Sequence, residues 1–355
     1  MNRSPALFAG GFCVRINIEN LRVKGKIIMR KVTWGMLGTA TIAKRNTIAG
    51  MKKAPNCRLY AVAGRNPEKV DQYVKDYGFE KGYYSYDELL DDPEIEAVYI
   101  PLPNSLHYEW VLKAVAKKKH VLCEKPMGLN AEQSEKMIAA ANENGVLLME
   151  AFAYLHSPYI TAIKNEVDAG TIGKITYIES AFLTRGYEGM GLSNIRVRRD
   201  TFGGALYDVG CYCTSLTQWL IGEEPVSVDA SAEFTDQHID IHTNAIMKYP
   251  SGARASITCG MCLGGESNRI GRFTICGSKG MIISTVMFNA EGELEYTVVA
   301  DGKTEVKTVS TPDNYELEIE QFGRCITDGE TPYVSNEFTV MNAKVVEKIH
   351  KTIGY

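Results

Sequence analysis

The sequence lacks the features that mark nucleic-acid-binding, membrane-spanning and fibrous proteins. Its 355 residues include 39 Lys and Arg against 43 Asp and Glu, a net charge of −4, so the basic excess that usually accompanies nucleic-acid binding is absent. No run approaches the roughly 18 apolar residues of a membrane-spanning helix, so we expect no membrane association. Repeats and low-complexity segments are also absent, which excludes collagen-like and disordered chains.

The cysteines do not form the pattern of a secreted, disulfide-bonded protein. There are nine, an odd number, and they are scattered through apolar segments. Cysteine in such positions behaves as a small hydrophobic residue in a reducing compartment, which favours a cytoplasmic location.

Two short patterns resemble metal sites but lack the partners that such sites need. Cys259 and Cys262 have a suitable spacing, yet no second pair of ligands lies nearby, so we expect no metal. The alternation around His238 and His242 is typical of a strand, and we interpret it as one exposed strand face.

The first 28 residues differ from the rest of the chain. The apolar stretch 6–14 is interrupted by Gly10 and Gly11, and no small-residue cleavage site of a secretory signal follows it. We therefore expect residues 1–28 to be an extension without a role in the fold. Met29 begins the first strongly patterned strand and is the expected biological start.

The rest of the chain changes its rhythm once. Residues 29–151 alternate apolar strands with amphipathic helices, which predicts right-handed βαβ units and a doubly wound parallel sheet of the Rossmann type. Residues 152–355 begin with one helix and continue with long β-type segments and turn pairs, and two helices end the chain. This part predicts an α+β domain with a large, open, mainly antiparallel sheet, whose apolar alternation makes it a candidate dimer or tetramer interface.

The turn after the first strand of the parallel sheet has the composition of a dinucleotide-binding loop. Gly38, Ala40 and Ala43 stand in the frame G-x-G-x-x-G, with Ala40 in place of the central glycine. Small residues let the backbone approach a pyrophosphate, and the N-terminus of the next helix attracts its charge. A tight strand-to-helix turn also needs small residues, so the βαβ context carries the prediction.

The end of the second strand favours NADP over NAD. Folds that bind NAD have an acidic residue there, which accepts hydrogen bonds from the ribose 2′-hydroxyl. Here the strand is followed by Gly64 and Arg65, and the planar guanidinium of Arg65 can hold a 2′-phosphate. A surface arginine after a strand would look the same, so NAD stays an alternative.

Two segments place polar side chains at the carboxyl ends of later strands, where open α/β sheets bind ligands. His107 can contact cofactor or substrate, or it can lie on a helix surface. Lys125 follows an apolar strand, and partial desolvation there would lower its pKa and suit it to acid–base chemistry. A lysine in a surface loop is the other interpretation.

The segment Gly203–Tyr212 is a second strong signal. Its glycines precede a predicted helix, and Asp208 and Tyr212 are four residues apart, which places a carboxylate and a phenol on one helix face. A nearby lysine would favour the phenolate of Tyr212 and make it a proton donor or acceptor. A buried helix with one hydrogen-bonded aspartate would show the same pattern.

Taken together, residues 30–355 resemble the Gfo/Idh/MocA family, named from glucose-fructose oxidoreductase, inositol dehydrogenase and a rhizopine-catabolism protein. The segments that carry the resemblance are Trp34-Gly35-Met36-Leu37-Gly38, Pro103-Asn104-Ser105-Leu106-His107, Glu124-Lys125-Pro126, Glu150-Ala151-Phe152 and Gly203–Tyr212. The resemblance implies a Rossmann domain, a substrate domain built on a sheet, and a cis Lys125–Pro126 bond. It also implies that Lys125 and Tyr212 lie at the reacting carbon. Tyrosine there, instead of histidine, resembles the glucose-fructose oxidoreductase, xylose dehydrogenase and trans-1,2-dihydrodiol dehydrogenase branches, which mostly use NADP.

The hypothesis is therefore an NAD(P)-dependent dehydrogenase that transfers a hydride between the nicotinamide and a CH–OH carbon of a sugar, polyol or cyclic diol. The expected catalytic residues are Lys125, Tyr212 and Asp208, with Phe152 and Arg196 as further substrate contacts. The expected cofactor contacts are Gly35, Gly38, Thr39, Ala40, Ile42, Ala43, Gly64, Arg65, Pro101, Asn104, His107, Glu124 and Lys125. A non-catalytic nucleotide- or sugar-sensing regulator on the same fold is the main alternative, and a dehydrogenase of amino or imino substrates is another.

Overall fold

The computed structural model describes residues 22–23, 26–27, 29–191, 193–265 and 268–355. Strands β1 (Arg22–Val23) and β2 (Lys26–Ile27) pair antiparallel within a unit formed by residues 1–30. Most of the predicted extension lies outside the described residues, so its lack of a fold role stays a prediction. Residues 31–355 form a second compact unit.

The first sheet of this unit has six parallel strands in the order β5-β4-β3-β6-β7-β8. They are β3 (Val32–Leu37), β4 (Cys57–Ala63), β5 (Lys81–Tyr83), β6 (Ala97–Ile100), β7 (His120–Glu124) and β8 (Leu148–Ala151). Every residue of β3, β6 and β8 is buried, as expected for a parallel sheet covered on both faces. The strand order reverses between β3 and β6, and the crevice at their carboxyl ends is where such sheets bind ligands.

Helices of this half connect the strands, and asparagine side chains cap two of them. They are α1 (Ile48–Lys53), α2 (Pro67–Tyr77), α3 (Tyr86–Asp91), α4 (Asn104–Ala116) and α5 (Ala131–Asn144). The Asn66 side chain accepts a hydrogen bond from the Lys69 N–H at the start of α2, and Asn130 caps α5 in the same way. Gly145 ends α5 in the left-handed conformation that glycine adopts without strain.

The second sheet has eight strands in the order β10-β11-β12-β9-β13-β14-β15-β16. They are β9 (Ile175–Arg185), β10 (Ser227–Phe234), β11 (Asp240–Lys248), β12 (Arg254–Leu263), β13 (Ile270–Gly277), β14 (Gly280–Ser284), β15 (Gly292–Ala300) and β16 (Lys303–Thr311). Only the pair of β12 and β9 is parallel among these described strands. The helices are α6 (Pro158–Asp168), α7 (Cys211–Ile221), α8 (Asn314–Asp328) and α9 (Asn336–Ile353). The predicted fold class is confirmed.

The structure changes the interpretation of the two metal-like patterns. His238 lies before β11, in a turn with φ of +57°, so the prediction of a strand at His238 is wrong. Cys259 is buried and Cys262 is exposed, because residues three apart on a strand point to opposite faces. Within the described ranges, no three His, Cys, Asp or Glu side chains are grouped to hold a metal ion. No helix in those ranges has both the length and the apolar character needed to cross a bilayer.

Candidate active site

Lys125, Asp208 and Tyr212 meet at the carboxyl end of β7. The Lys125 ammonium donates a hydrogen bond of 2.6 Å to the main-chain carbonyl of Asp208. Its Nζ atom is 3.7 Å from Asp208 Oδ1 and lies over the Tyr212 ring, 4.9 Å from the centroid. The Lys125–Pro126 peptide bond is cis, as the resemblance implied. The structure thus brings together three side chains that are up to 87 residues apart in the chain, from 125 to 212.

The glycines before this segment are explained by close packing. Gly204 has a φ of +117°, and a Cβ there would lie 2.0 Å from Asp240 Oδ1. Asp240 is fully buried, and its Oδ2 accepts a hydrogen bond of 2.8 Å from the Leu206 N–H. A π-helical turn at Leu206–Gly210 then leads into α7, and this turn carries Asp208 to Lys125.

Asp208 links the lysine to an arginine. Arg196 Nε lies 2.9 Å from both carboxylate oxygens of Asp208. Burial raises the pKa of Asp208, but the positive charges of Arg196 and Lys125 outweigh burial, so its pKa falls below the ordinary value. Asp208 is therefore ionised and holds two cations at the site.

The predicted pKa shifts of the lysine and the tyrosine are wrong in sign. Burial lowers the pKa of Lys125, but interactions with Cys211, Asp208 and Glu124 outweigh burial, so its pKa is raised. Burial, and then the charge of Glu124, raises the pKa of Tyr212 well above its ordinary value, while a hydrogen bond with Asn289 opposes them. At neutral pH the site therefore holds a lysine cation and a protonated phenol.

An aromatic wall supports the Tyr212 ring. Phe152, Phe182 and Phe288 approach it with centroid distances of 6.0, 5.4 and 5.4 Å. Tyr154 lies at 5.7 Å, and its own hydroxyl pairs with Ser215. Phe152 is fully buried behind Tyr212, so its place in the structure favours support of the Tyr212 ring over contact with a substrate.

Several polar residues at the site carried no recognisable signal in the sequence. The Tyr315 hydroxyl, on α8, accepts hydrogen bonds from Asn46 (3.0 Å) and Asn289 (3.3 Å). Burial raises the pKa of Tyr315, and the nearby Tyr212 raises it further. Arg269 adds a positive charge that helps to lower the pKa of Asp208. These residues come from separate elements, so no spacing in the sequence could have grouped them.

The turn after β3 is tight and closely packed. Gly38 has a φ of +104°, and a Cβ there would lie 2.9 Å from a Leu102 side-chain carbon. The helical stretch that continues into α1 begins at Thr41, with a π-helical part at Ala43–Thr47, so Thr39 and Ala40 stand at its N-terminus. The Ala40 carbonyl accepts a hydrogen bond of 2.9 Å from the Tyr73 hydroxyl, which holds the loop where a glycine was expected.

The other predicted cofactor contacts in the first part of this half differ in how deeply they are buried. Ile42 is half-buried within the first helical turn, and Ala43 is fully buried behind it. Gly64 is buried at the end of β4, and a Cβ there would lie 2.9 Å from a Val70 methyl group. Gly35 lies inside β3, where a Cβ would lie 2.8 Å from a Leu89 methyl group, so it contributes to sheet packing.

Arg65 stands exposed immediately after β4. Its charge and a hydrogen bond act on Tyr86, where they partly offset the rise that burial causes in the Tyr86 pKa. A guanidinium at the end of the second strand can donate hydrogen bonds to the 2′-phosphate of a ribose.

Four residues connect the strand ends. Pro101 is buried next to β6, and Asn104 donates a hydrogen bond of 2.8 Å to the Phe202 carbonyl. Glu124 is buried and accepts a hydrogen bond of 2.6 Å from Tyr99. His107 is buried, and its ring nitrogens each lie 2.9 Å from a main-chain carbonyl, of Pro126 and of Leu102. His107 therefore joins two loops of the site.

Glu150 fixes the loop that carries Lys125. It is buried, and its Oε1 atom accepts a hydrogen bond of 2.9 Å from the Met127 N–H. Burial raises the pKa of Glu150 to about 7. Lys125 thus lies on a loop fixed by buried side chains on both sides.

Two family models match the chain. The model of the oxidoreductase family with an NAD-binding Rossmann fold, GFO_IDH_MocA, matches residues 32–152. The model of the GFO/IDH/MocA C-terminal domain matches residues 160–283. The chain belongs to the GFO/IDH/MocA family. It is an oxidoreductase of this family and has the family's NAD(P)-binding Rossmann domain.

Relatives with named activities align with about nine-tenths of this chain. D-xylose 1-dehydrogenase (NADP(+)) 2 of Haloferax volcanii is 30% identical, over 90% of this chain and 96% of its own. Trans-1,2-dihydrobenzene-1,2-diol dehydrogenase of Xenopus laevis is 30% identical, over 90% of this chain and 98% of its own. Among solved structures, the 3-ketoreductase KijD10 of Actinomadura kijaniata with NADP and TDP-benzene superimposes with a TM-score of 0.84, at 27% identity, covering 91% of this chain and 98% of that one.

Proposed function

We propose that the protein is an NADP-dependent dehydrogenase that moves a hydride between the nicotinamide and a secondary alcohol or hemiacetal carbon of a sugar, polyol or cyclic diol. The observation that carries this proposal is the meeting of Lys125, Asp208 and Tyr212 at the carboxyl end of β7. The names of the relatives support the substrate class, since they include a xylose dehydrogenase and a dihydrodiol dehydrogenase.

The chain's own residues would manage the substrate oxygen. The cofactor supplies the hydride chemistry. Tyr212, protonated at neutral pH, donates its proton to a carbonyl oxygen in the reductive direction and receives one from an alcohol in the other. Lys125 stays cationic and stabilises the negative charge that develops on that oxygen. Asp208 holds Lys125 and Arg196, and it accepts hydrogen bonds from substrate hydroxyls.

The preference for NADP is part of the proposal. Arg65 would pair with the 2′-phosphate, and Gly38, Thr39 and Ala40 would hold the pyrophosphate at the start of the first helix. Asn104 and Glu124 line the same strand ends. We further propose that residues 29–151 form the cofactor domain and residues 152–355 the substrate domain.

We also propose a homodimer or homotetramer formed through the second sheet. Ile246 and Val306 lie in one cross-strand row, so they share a face of the sheet, and they are 52% and 58% exposed. Tyr177, Ile270 and Met281 are exposed on the same face. Exposed apolar side chains spread over one sheet face support an interface there. Light scattering after size-exclusion chromatography should give a multimer that Ile246→Glu dissociates, and a monomeric wild type would refute the proposal.

A cytoplasmic location completes the proposal. The eight cysteines within the described residues all carry free thiols, as expected in a reducing compartment. Fractionation of the source cell should recover the protein with cytoplasmic markers.

A substrate screen tests the function. Aldoses, polyols and trans-cyclic diols are incubated with NADP⁺ or NAD⁺, and formation of the reduced nicotinamide is followed by absorbance. We expect turnover with NADP⁺ and at least one of these compounds, and turnover at least about 10²-fold slower with Lys125→Met. Nucleotide binding without turnover of any compound in either direction would favour the regulator instead.

A further inference from the structure

The segment 194–204, here called the arginine loop, carries Arg196 and is held in a strained conformation. Phe202 has a φ of +52°, a left-handed value that a bulky side chain rarely adopts and that strains the backbone. Such a conformation persists only where surrounding contacts enforce it. The contacts that enforce this one come from two distant parts of the chain.

Adjacent carbonyls of the arginine loop are bound from outside. The Phe202 carbonyl accepts a hydrogen bond of 2.8 Å from Asn104, at the start of α4. The next carbonyl, of Gly203, accepts a hydrogen bond of 2.6 Å from the Tyr355 hydroxyl. One side of the loop is thus fastened to the cofactor-binding half and the other to Tyr355.

The Tyr355 ring is itself fixed. It stacks on His350 with a centroid distance of 4.3 Å, and the Arg199 guanidinium lies 3.9 Å from its centroid. The ring also approaches Gly204 closely, since a Cβ there would lie 3.4 Å from Tyr355 Cε2. A fixed ring aims the hydroxyl at one carbonyl, which is what a positioning contact needs.

Gly203 and Gly204 connect Tyr355 to Arg196, which contacts Asp208 at the candidate active site. The Gly204 N–H donates a hydrogen bond of 2.8 Å to the Arg196 carbonyl, and a Cβ at Gly203 would lie 2.3 Å from that same oxygen. The Arg196 side chain then reaches Asp208 through Nε. One path from Tyr355 to the Asp208 side chain therefore passes through Gly203, Gly204 and Arg196.

We propose that Tyr355 is a positioning residue of the reaction, which fixes the arginine loop so that Arg196 meets Asp208 and the substrate in a single arrangement. This inference rests on the proposed function for its kinetic part. Its structural part, the order of the loop, can be measured whether or not a substrate is known.

Tyr355→Phe tests both parts, because it removes the hydroxyl and keeps the stacked ring. Tyr249→Phe is the matched control: its hydroxyl accepts a hydrogen bond of 2.9 Å from Gln218, at the far end of α7. One neutral hydrogen bond contributes about 1 kcal/mol, or about fivefold in an equilibrium. We expect Tyr355→Phe to raise the KM for the alcohol about fivefold, with kcat and the Kd for NADP near those of the wild type.

Two further measurements separate positioning from general loss of stability. Hydrogen exchange of the amides in segment 195–205 should accelerate about fivefold in Tyr355→Phe and not in Tyr249→Phe. In an Arg196→Gln background, Tyr355→Phe should change KM little, because the two residues act in series.

The outcomes are distinguishable. A wild-type protein without turnover of any compound would refute the proposed function but not the positioning role of Tyr355. Unchanged exchange in Tyr355→Phe would overturn the inference, with or without turnover. Faster exchange with an unchanged KM, or additive effects of Tyr355→Phe and Arg196→Gln, would overturn it as well.

Discussion

The Lys125 ammonium lies over the face of Tyr212, 4.9 Å from the ring centroid, while its hydrogen bond goes to the main chain of Asp208. A cation over an aromatic face is attracted to the ring's electron density, and this contact fixes both side chains. Because burial and nearby negative charge dominate, the Tyr212 pKa rises in spite of that cation. The pair therefore combines a fixed positive charge with a phenol that keeps its proton.

Removal of the Tyr212 hydroxyl should abolish most of the turnover. General acid–base groups contribute about 10²–10⁴-fold, so Tyr212→Phe should lower kcat by that range with the Kd for NADP near normal. Tyr154→Phe is the matched control, since that ring belongs to the same aromatic wall but its hydroxyl pairs with Ser215. Near-full kcat in Tyr212→Phe would remove it from the proton path.

The two directions of the reaction should respond differently to pH. In the proposed mechanism, reduction needs protonated Tyr212, and the raised pKa keeps it protonated, so the reductive rate should stay level from pH 6 to about 9. Oxidation needs the deprotonated phenol, so its rate should rise with pH over that range. Steady-state rates in both directions check this, and an oxidative rate that falls as pH rises would contradict the assignment.

Loss of the lysine charge should be as severe as loss of the phenol. Lys125→Met keeps the length of the side chain and removes the charge, so kcat should fall by at least about 10²-fold. The double variant with Tyr212→Phe should lose less than the product of the single losses, because the groups act as a unit. Strictly multiplicative losses in single-turnover rates would show that the two act independently.

Arg65 should discriminate between the cofactors. A charge-assisted hydrogen bond contributes about 1.5–3 kcal/mol, so Arg65→Ala should weaken NADP binding about tenfold or more and spare NAD. Lys75→Ala, an exposed cation at the far end of α2, is the control and should change neither. Calorimetric titration measures both constants. Equal weakening for both cofactors would mean that Arg65 does not bind the 2′-phosphate.

Glu150 should make stability depend on pH near neutrality. Burial raises its pKa to about 7, so the folded protein prefers the protonated acid. For an acid with a raised pKa, the contribution to stability is complete below the unfolded pKa, about 4.3, and is lost as pH rises through 7. Glu150→Gln imitates the protonated form, so its Tm relative to the wild type should rise by several degrees between pH 5 and pH 8.

An exposed carboxylate provides the comparison for this experiment. Glu143→Gln, on the surface of α5, should follow the wild-type Tm at every pH. Parallel Tm profiles of Glu150→Gln and the wild type would show that Glu150 does not titrate in this range.

The sequence by itself determined the order of the elements and much of their extent. Strand–helix alternation, Pro67 in a first helical turn, the cap Asn130 and the stop at Gly145 are local signals, and α2 and α5 lie where these signals predict. The family resemblance supplied what local pattern could not, including the cis Lys125–Pro126 bond.

Only the tertiary structure decided the electrostatics and the support of the site. The pKa values of Lys125 and Tyr212 depend on burial and on charges from other elements, so a prediction from one loop had the wrong sign for both. Asn46 and Tyr315 are 269 residues apart and meet at the site through a hydrogen bond. Tyr355 reaches Gly203 across 152 residues. Contacts over such separations leave no spacing in the chain to read, because packing of whole elements creates them.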